Sequence, residues 1–202
     1  MAYLRQADVI LLAGGDVFRG FKAFDDADIP KLLLERYYAG AVLLGVSAGA
    51  VQLGLKGWRT DDGDGTFTAI RAVPFVVDAH DEPGWSRLLA IVPKAGEHAR
   101  GFGIPSGGGA LYHPDYSVEP IRHPLVEVTL TEDGVRQALL FPGETAEVEP
   151  EPELAGPSAE TLSLLQELDQ PIQVAGKTVR GPAPAAPGDE ADETAPDEDP
   201  VN

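Results

Sequence analysis

The chain has 202 residues, 43% of them hydrophobic and none a cysteine, which allows one domain with a core and excludes disulfides, thiolate metal sites and a cysteine nucleophile. The formal net charge is −18, and no part of the sequence forms a basic patch that would bind nucleic acid or an anionic membrane. We therefore expect neither as a partner. No apolar run approaches the ~18 residues of a membrane span and the N-terminus lacks the pattern of a signal peptide, which predicts a cytoplasmic protein.

The first elements alternate between strands and helices. Residues 7–13 are apolar apart from Asp8 and end in Gly14-Gly15, which is typical of a buried parallel strand. Asp16 is placed to cap a helix, a second helix follows, and residues 41–44 form the next strand. This strand–helix–strand order predicts a parallel sheet covered by helices, with ligands at the carboxyl ends of its strands.

The second strand runs into a serine between small residues, Gly45-Val46-Ser47-Ala48-Gly49. A G-x-S-x-G sequence between a strand and a helix is typical of a turn that presents a nucleophilic serine, with glycines where backbone approaches backbone. The alternative is an ordinary strand-to-helix turn in which Ser47 caps the helix. The motif by itself leaves both interpretations open.

The segment after this turn is polar and acidic. Residues 56–65 include Asp61 and Asp62, but they lack the regular aspartate spacing and the closing glutamate of a calcium loop. Further apolar runs predict a helix over 85–92 and strands over 69–77, 101–105, 110–112, 125–130 and 135–141.

Four histidines are candidates for the base that a serine nucleophile needs. His80 directly follows a predicted apolar strand. It is therefore expected at the end of a strand, where Ser47 is expected too. His98 lies in a charged segment, and His113 and His123 lie beside prolines, so we interpret these three as loop residues. The alternative for His80 is a loop histidine among acidic neighbours.

The composition changes after Gly143. Residues 146–202 hold 14 acidic and 2 basic residues, a net of −12, and nine of the 18 prolines. Such a segment buries too little apolar surface to offset its ordering entropy, so we predict a disordered tail. The predicted folded domain is therefore 1–145, and within the tail 146–202 a capping-box-like start predicts a short helix over 158–168.

Four motifs occur in an order that resembles a known family. They are Gly14-Gly15-Asp16-Val17-Phe18, Gly45-Val46-Ser47-Ala48-Gly49-Ala50, Asp78-Ala79-His80 and Gly103-Ile104-Pro105. With these motifs the sequence resembles the dipeptidase E and cyanophycinase family of serine peptidases over residues 7–143. The resemblance implies an α/β fold with a parallel three-layer sheet of the flavodoxin-like, class I glutamine amidotransferase-like type.

The resemblance also implies a catalytic triad. Ser47 corresponds to the nucleophile and His80 to the base that takes its proton. In dipeptidase E the third member is an aspartate in the loop past the serine, which corresponds to Asp62, with the adjacent Asp61 as the other candidate.

An oxyanion hole is implied in the same way, with one N–H group from Gly15 and one from Ala48. The substrate of dipeptidase E has an N-terminal aspartate, which a basic side chain near the site would bind. Arg19 and Arg59 are the nearest candidates in the sequence. No metal or other cofactor is implied.

Three features depart from the family. The family has further strands before the Gly-Gly strand, so we expect a sheet that is short on its N-terminal side, with an edge and apolar helix faces uncovered. Ser106 stands where the family often has an acidic residue. Only Arg87 remains of the arginine-rich run that follows the histidine in cyanophycinases, which argues against affinity for their Asp-Arg polymer.

Together these features predict a serine-type peptidase that hydrolyses small peptides, with Asp-X dipeptides or related isopeptides as candidate substrates. The alternative is an amidotransferase-like domain with impaired catalysis that acts as a binding or interaction protein. In that case the acidic tail would carry the function. An oligomer is compatible with the sequence, which does not specify a number of copies.

Overall fold

A computed structural model of the chain describes residues 2–59 and 65–150, together with two short strands, Gln173–Val174 and Lys177–Thr178. The chain divides into two units, residues 1–157 and 158–202. Of the second unit only these two strands are described, and they pair antiparallel. The helix predicted over 158–168 and most of the predicted tail lie outside the described residues.

The first part of unit 1 alternates between helices and strands. Its elements are α1 (Ala2–Gln6), β1 (Val9–Leu12), α2 (Val17–Asp25), α3 (Ile29–Tyr38), β2 (Val42–Gly45) and α4 (Ala48–Leu53). β1 and β2 pair in parallel, with Leu12 opposite Gly45. A parallel pair needs a crossover connection, which α2 and α3 supply.

The two-stranded sheet is buried on one face only. Ile10 and Leu12 of β1 are buried in a cluster that includes Leu33 of α3 and Leu53 of α4. The opposite face carries apolar side chains that are between 46% and 60% exposed: Val9, Leu11, Val42 and Leu44. The sequence predicted uncovered helix faces, whereas these uncovered side chains belong to strands, whose residues alternate between the two faces.

The second part of unit 1 is mostly strands. Its elements are β3 (Lys56–Trp58), β4 (Thr66–Thr68), β5 (Val76–Ala79), α5 (Ser86–Ile91), a 3-10 helix (Val92–Lys94), β6 (Arg100–Ile104), β7 (Gly109–Tyr112), β8 (Ser117–Ile121), β9 (Leu125–Thr131), β10 (Gly134–Leu140) and β11 (Ala146–Glu147). β3 and β4 form an antiparallel hairpin.

A four-stranded sheet in the order β10-β9-β6-β5 lies at the centre of this part. β5 and β6 are parallel, whereas β9 and β10 extend the sheet in antiparallel fashion. Val76 of β5 clusters with Leu88 of α5, and Val77 clusters with Val118 of β8, a strand of the antiparallel sheet β11-β8-β7. All four residues of β5 are therefore buried, because both faces of the strand are covered.

The mixed α/β architecture with two parallel strand pairs confirms the predicted fold class. The strand predicted over 69–77 begins only at Val76, because residues before it bond to the end of α4, as Ala72 N–H does to the Leu53 carbonyl. Packed structure also continues past the predicted boundary at residue 145, since Val148 is buried. None of the described helices is long and apolar enough to cross a membrane.

Candidate active site

Ser47 lies at the apex of a sharp turn between β2 and α4. Its backbone has φ 53° and ψ −114°, a conformation that costs a non-glycine residue free energy and is found mainly at functional sites. A Cβ at Gly45 would lie 2.5 Å from the Cα of Ala50, and one at Gly49 would overlap the carbonyl oxygen of Leu12. The glycines of the motif are therefore needed for this turn to form.

The Gly14-Gly15 turn faces Ser47, because β1 and β2 are parallel neighbours and end together. A Cβ at Gly14 would lie 3.3 Å from the Cβ of Ser47. Asp16 then caps α2, its carboxylate accepting a hydrogen bond from the N–H of Arg19 at 2.8 Å. Among the described backbone hydrogen bonds outside the helices and strands, none has as its donor the N–H of Gly15, which follows Gly14, or that of Ala48, which follows Ser47.

His80 follows β5 directly and is held there by the backbone. Its N–H donates to the carbonyl of Ile104 at the end of β6, at 2.9 Å, and its φ of 48° turns the chain out of the sheet. β5 reaches Ser47 because the end of α4 is bonded to the start of this strand, the N–H of Leu55 donating to the Phe75 carbonyl at 2.9 Å.

The structure brings Ser47 and His80 into hydrogen-bond contact. The Oγ of Ser47 lies 2.7 Å from the Nε2 of His80, and the two residues are 33 positions apart in the sequence. With the proton of the imidazole on Nδ1, the hydroxyl of Ser47 donates to Nε2. This is the arrangement in which an imidazole can take a proton from a serine nucleophile.

The resemblance implies Asp62, or else Asp61, as the third member of the catalytic triad. Both residues lie outside the described part of the chain. The residues on either side of residues 60–64 are described. The N–H of Arg59 donates to the carbonyl of Gly65 at 2.9 Å, next to the hairpin formed by β3 and β4.

A partly buried ion-pair cluster lies beside His80 in the sequence. Asp78 is fully buried on β5, and its Oδ1 lies 3.5 Å from the Nη2 of Arg87, which also lies 3.1 Å from the carboxylate of Asp81. Burial raises the pKa of Asp78 from 3.8 to about 6, while the guanidinium of Arg87 acts in the opposite direction. The sequence signal for this cluster is weak, since it consists of one aspartate within an apolar strand and one arginine on the next helix.

A second carboxylate near His80 is that of Glu82, to which sequence reasoning assigned no role. Its Oε1 accepts a hydrogen bond from the N–H of Ser106 at 2.7 Å, which lowers the pKa of Glu82, with a smaller contribution from His80. Ser106 occupies the position where the resembled family often has an acidic residue. The carboxylate of Glu82 thus lies beside the backbone of Ser106, although the two residues are 24 positions apart in the sequence.

The basic residues considered for substrate binding lie near α2. The guanidinium of Arg59 stacks over the ring of Phe18, with 4.6 Å between Cζ and the ring centroid, and Arg19 is exposed. Within the described part of the chain, no group of three or more histidine, aspartate or glutamate side chains could hold a metal ion.

A serine and a histidine in contact at the carboxyl ends of parallel strands define an α/β protein with a hydrolase-like site. The profile of Peptidase family S51 matches residues 1–83, a range that includes Gly15, Ser47 and His80. The resemblance to this peptidase family is thereby confirmed over fewer than half of the 202 residues. A search of the curated proteins gave no match.

The solved structures that are similar to this chain include two bacterial proteins. A peptidase from an acI-B1 Actinobacterium has a TM-score of 0.58 and 15% sequence identity, covering 73% of this chain and 62% of that one, a likeness in fold. A putative peptidase E protein from Listeria monocytogenes EGD-e has a TM-score of 0.40 and 19% identity, covering 69% of this chain and 63% of that one. The chain thus spans less than two thirds of the length of either protein.

Proposed function

We propose that this protein is a serine-type peptidase that hydrolyses small peptides, with Ser47 as the nucleophile. The observation that carries the proposal is the 2.7 Å separation between the Oγ of Ser47 and the Nε2 of His80. The strained backbone of Ser47 adds to it, because a helix cap does not need a positive φ and a nucleophile elbow does.

The reaction would follow the double displacement of serine hydrolases. Ser47 Oγ attacks the peptide carbonyl carbon while His80 takes the hydroxyl proton, and the N–H groups of Gly15 and Ala48 bind the resulting oxyanion. The C–N bond then breaks and His80 gives the proton to the leaving amine, which leaves an ester on Ser47. Water attacks this ester, His80 takes its proton, and the ester C–O bond breaks as His80 returns the proton to Ser47 Oγ.

A third residue would orient the imidazole by accepting a hydrogen bond from its Nδ1–H. We assign this role to Asp62, with Asp61 as the alternative, in keeping with the resemblance to dipeptidase E. The N–H of Arg59 bonds to the Gly65 carbonyl, so the two ends of the segment that carries these aspartates are close together.

The substrate class is the finer part of the proposal. A free N-terminal aspartate on the substrate, as in Asp-X dipeptides or related isopeptides, would need a cationic partner near the oxyanion site. Arg19 on α2 is exposed and lies four residues after Gly15, which makes it the first residue to replace in a specificity assay.

Labelling with a fluorophosphonate tests the proposed nucleophile without knowledge of the substrate. We expect the wild-type protein to react and mass spectrometry to place the adduct on Ser47, and we expect Ser47→Ala to remain unlabelled. Hydrolysis of a panel of Asp-X dipeptides by the two proteins then tests the substrate class. A folded wild-type protein that is never labelled at Ser47 would overturn the proposal.

A further inference from the structure

We propose that Arg87 is a positioning residue that holds the His80 turn in place by binding the carboxylates of Asp78 and Asp81, which flank His80 in the sequence. The proposal rests on the proposed function, because it concerns how the imidazole is presented to Ser47. Arg87 itself acts through other residues and is assigned no contact with the substrate.

The first argument is the geometry of the cluster. The Nη2 of Arg87 lies 3.5 Å from Asp78 Oδ1 and 3.1 Å from Asp81 Oδ1. Asp78 is two residues before His80 and Asp81 is one residue after it. One guanidinium group therefore connects both ends of the short segment that carries the imidazole.

The second argument is the backbone of His80. Its φ of 48° lies in the left-handed region, which a residue with a side chain adopts only where the surroundings hold it. The His80 N–H to Ile104 bond fixes the start of the turn. Asp81 fixes its other end, because its Oδ2 also accepts from the N–H of Arg87 at 3.3 Å and its carbonyl accepts from the N–H of Trp85 at 3.0 Å.

The third argument is the burial of Asp78. Its side chain is fully buried, and Arg87 is the cation that lies within 4 Å of it in the described part of the chain. Its Oδ1 also accepts a hydrogen bond from the N–H of Ala79 at 2.8 Å, whereas its Oδ2 has no hydrogen-bond partner in the described part of the chain. Without the cation, the buried carboxylate would keep the Ala79 bond but lose the charge that offsets its lost hydration. Without Arg87 the Asp78 carboxylate would be driven to protonate or to move towards solvent, and β5 would carry His80 with it.

Arg87 also contacts the hairpin that leads to the predicted orienting aspartates. Its Cζ lies 4.5 Å from the ring centroid of Trp58, the last residue of β3. A guanidinium over an indole face is a favourable stacking arrangement. The same side chain thus joins the end of β3, the helix α5 and the His80 turn.

Saturation kinetics of fluorophosphonate labelling separate positioning from simple loss of fold. For Arg87→Gln we expect the maximal labelling rate to fall by about tenfold to a hundredfold, with a half-saturation concentration close to that of the wild type. Arg87→Lys keeps the charge but not the planar fork, so we expect it to restore part of the rate.

A matched control is available in Arg100. It too is partly buried, pairs with a carboxylate, Glu127, and lies over an aromatic ring, that of Phe102. Arg100 stands at the start of β6, whereas His80 follows the end of β5. Because β5 and β6 are parallel neighbours, the two residues lie at opposite ends of this strand pair. We expect Arg100→Gln to label at the wild-type rate.

Asp81→Asn provides a second variant in case Arg87→Gln does not fold, since Asp81 is at the edge of the cluster. We expect it to lower the maximal labelling rate as well. A folded Arg87→Gln, or a folded Asp81→Asn, that labels at the wild-type rate would overturn the proposal.

The positioning role of Arg87 can be refuted separately from the peptidase activity, by a measurement that does not depend on labelling. The NMR signal of the His80 imidazole, assigned with His80→Gln, should move or broaden in Arg87→Gln, while it stays in place in Arg100→Gln. The other three histidines serve as internal references. An unchanged His80 signal in Arg87→Gln overturns the positioning role, whereas a wild-type protein that is not labelled at Ser47 overturns the peptidase proposal alone.

Discussion

Ser47 Oγ and His80 Nε2 lie 2.7 Å apart, although the two residues belong to different strand ends. Ser47 follows β2, which pairs with β1, and His80 follows β5, which pairs with β6. The contact therefore depends on how α4 packs against β5 rather than on either strand pair alone.

Replacement of His80 by glutamine removes the proposed base. We expect fluorophosphonate labelling of Ser47 to slow by about 10²- to 10⁴-fold, the range that a positioned general base contributes. The unfolding free energy should change little, because the His80 side chain is exposed. His98→Gln is the control, since His98 is exposed and lies before β6; equal rates for the two variants would contradict the assignment of His80.

Gly49→Ala places a methyl group against the carbonyl oxygen of Leu12 in β1. We expect a loss of about 1–3 kcal/mol in unfolding free energy, measured by urea denaturation, because neither backbone can yield without displacing the Ser47 turn. Labelling of Ser47 should fall with it. Gly109→Ala, whose Cβ would lie 3.5 Å from the Cβ of Ile121, should leave both quantities unchanged; an equally tolerant Gly49→Ala would show that the turn does not need glycine.

Asp16→Ala removes the cap of α2, where the carboxylate accepts the N–H of Arg19 at 2.8 Å. We expect the unfolding free energy to fall by about 1 kcal/mol, as is usual for loss of an N-cap. Asp16→Asn keeps an acceptor at this position and should retain most of the stability. If alanine and asparagine behave alike, the capping hydrogen bond contributes nothing measurable.

The buried carboxyl of Asp78 makes stability depend on pH. Its pKa is raised from 3.8 to about 6 in the folded protein, so between these values the folded state binds more protons than the unfolded state, and stability falls as the pH rises. The loss amounts to about 2 kcal/mol between pH 4 and pH 7, since part of the difference in bound protons lies below pH 4.

Asp78→Asn isolates this contribution, because asparagine does not titrate. The difference in unfolding free energy between wild type and Asp78→Asn, measured by urea denaturation at pH 4 and pH 7, should shift by about 2 kcal/mol in favour of the variant as the pH rises. A difference that is the same at both pH values would contradict the raised pKa.

Much of the first half of unit 1 could be predicted from the sequence. The apolar run before Gly14-Gly15, the cap Asp16 and the strand before Ser47 all appear where their local patterns predict them. These patterns are reliable because each depends on neighbours in the chain: burial of a continuous apolar run, a side-chain acceptor for a helix N–H, and glycines where a Cβ would clash.

The surroundings of the site could not be predicted in this way. The ion pairs of Arg87 with Asp78 and Asp81 and the hydrogen bond from Ser106 to Glu82 join residues whose sequence neighbourhoods carry at most a weak signal for these contacts. The sequence likewise predicted a tail from residue 146, whereas Val148 is buried in the core. A short apolar segment within acidic sequence is buried only if a partner strand is nearby, and here β8 supplies it.

The sequence by itself determined the Ser47 turn, since a Cβ at Gly45 would clash with Ala50, only five residues further on. It also determined the α/β class through the alternation of apolar runs and helical segments. Only the tertiary structure decided that His80 among the four histidines contacts Ser47 and that Arg87 connects the carboxylates on either side of it. The reason is physical: a turn is set by local excluded volume, whereas a contact across 33 residues is set by the packing of α4 on β5.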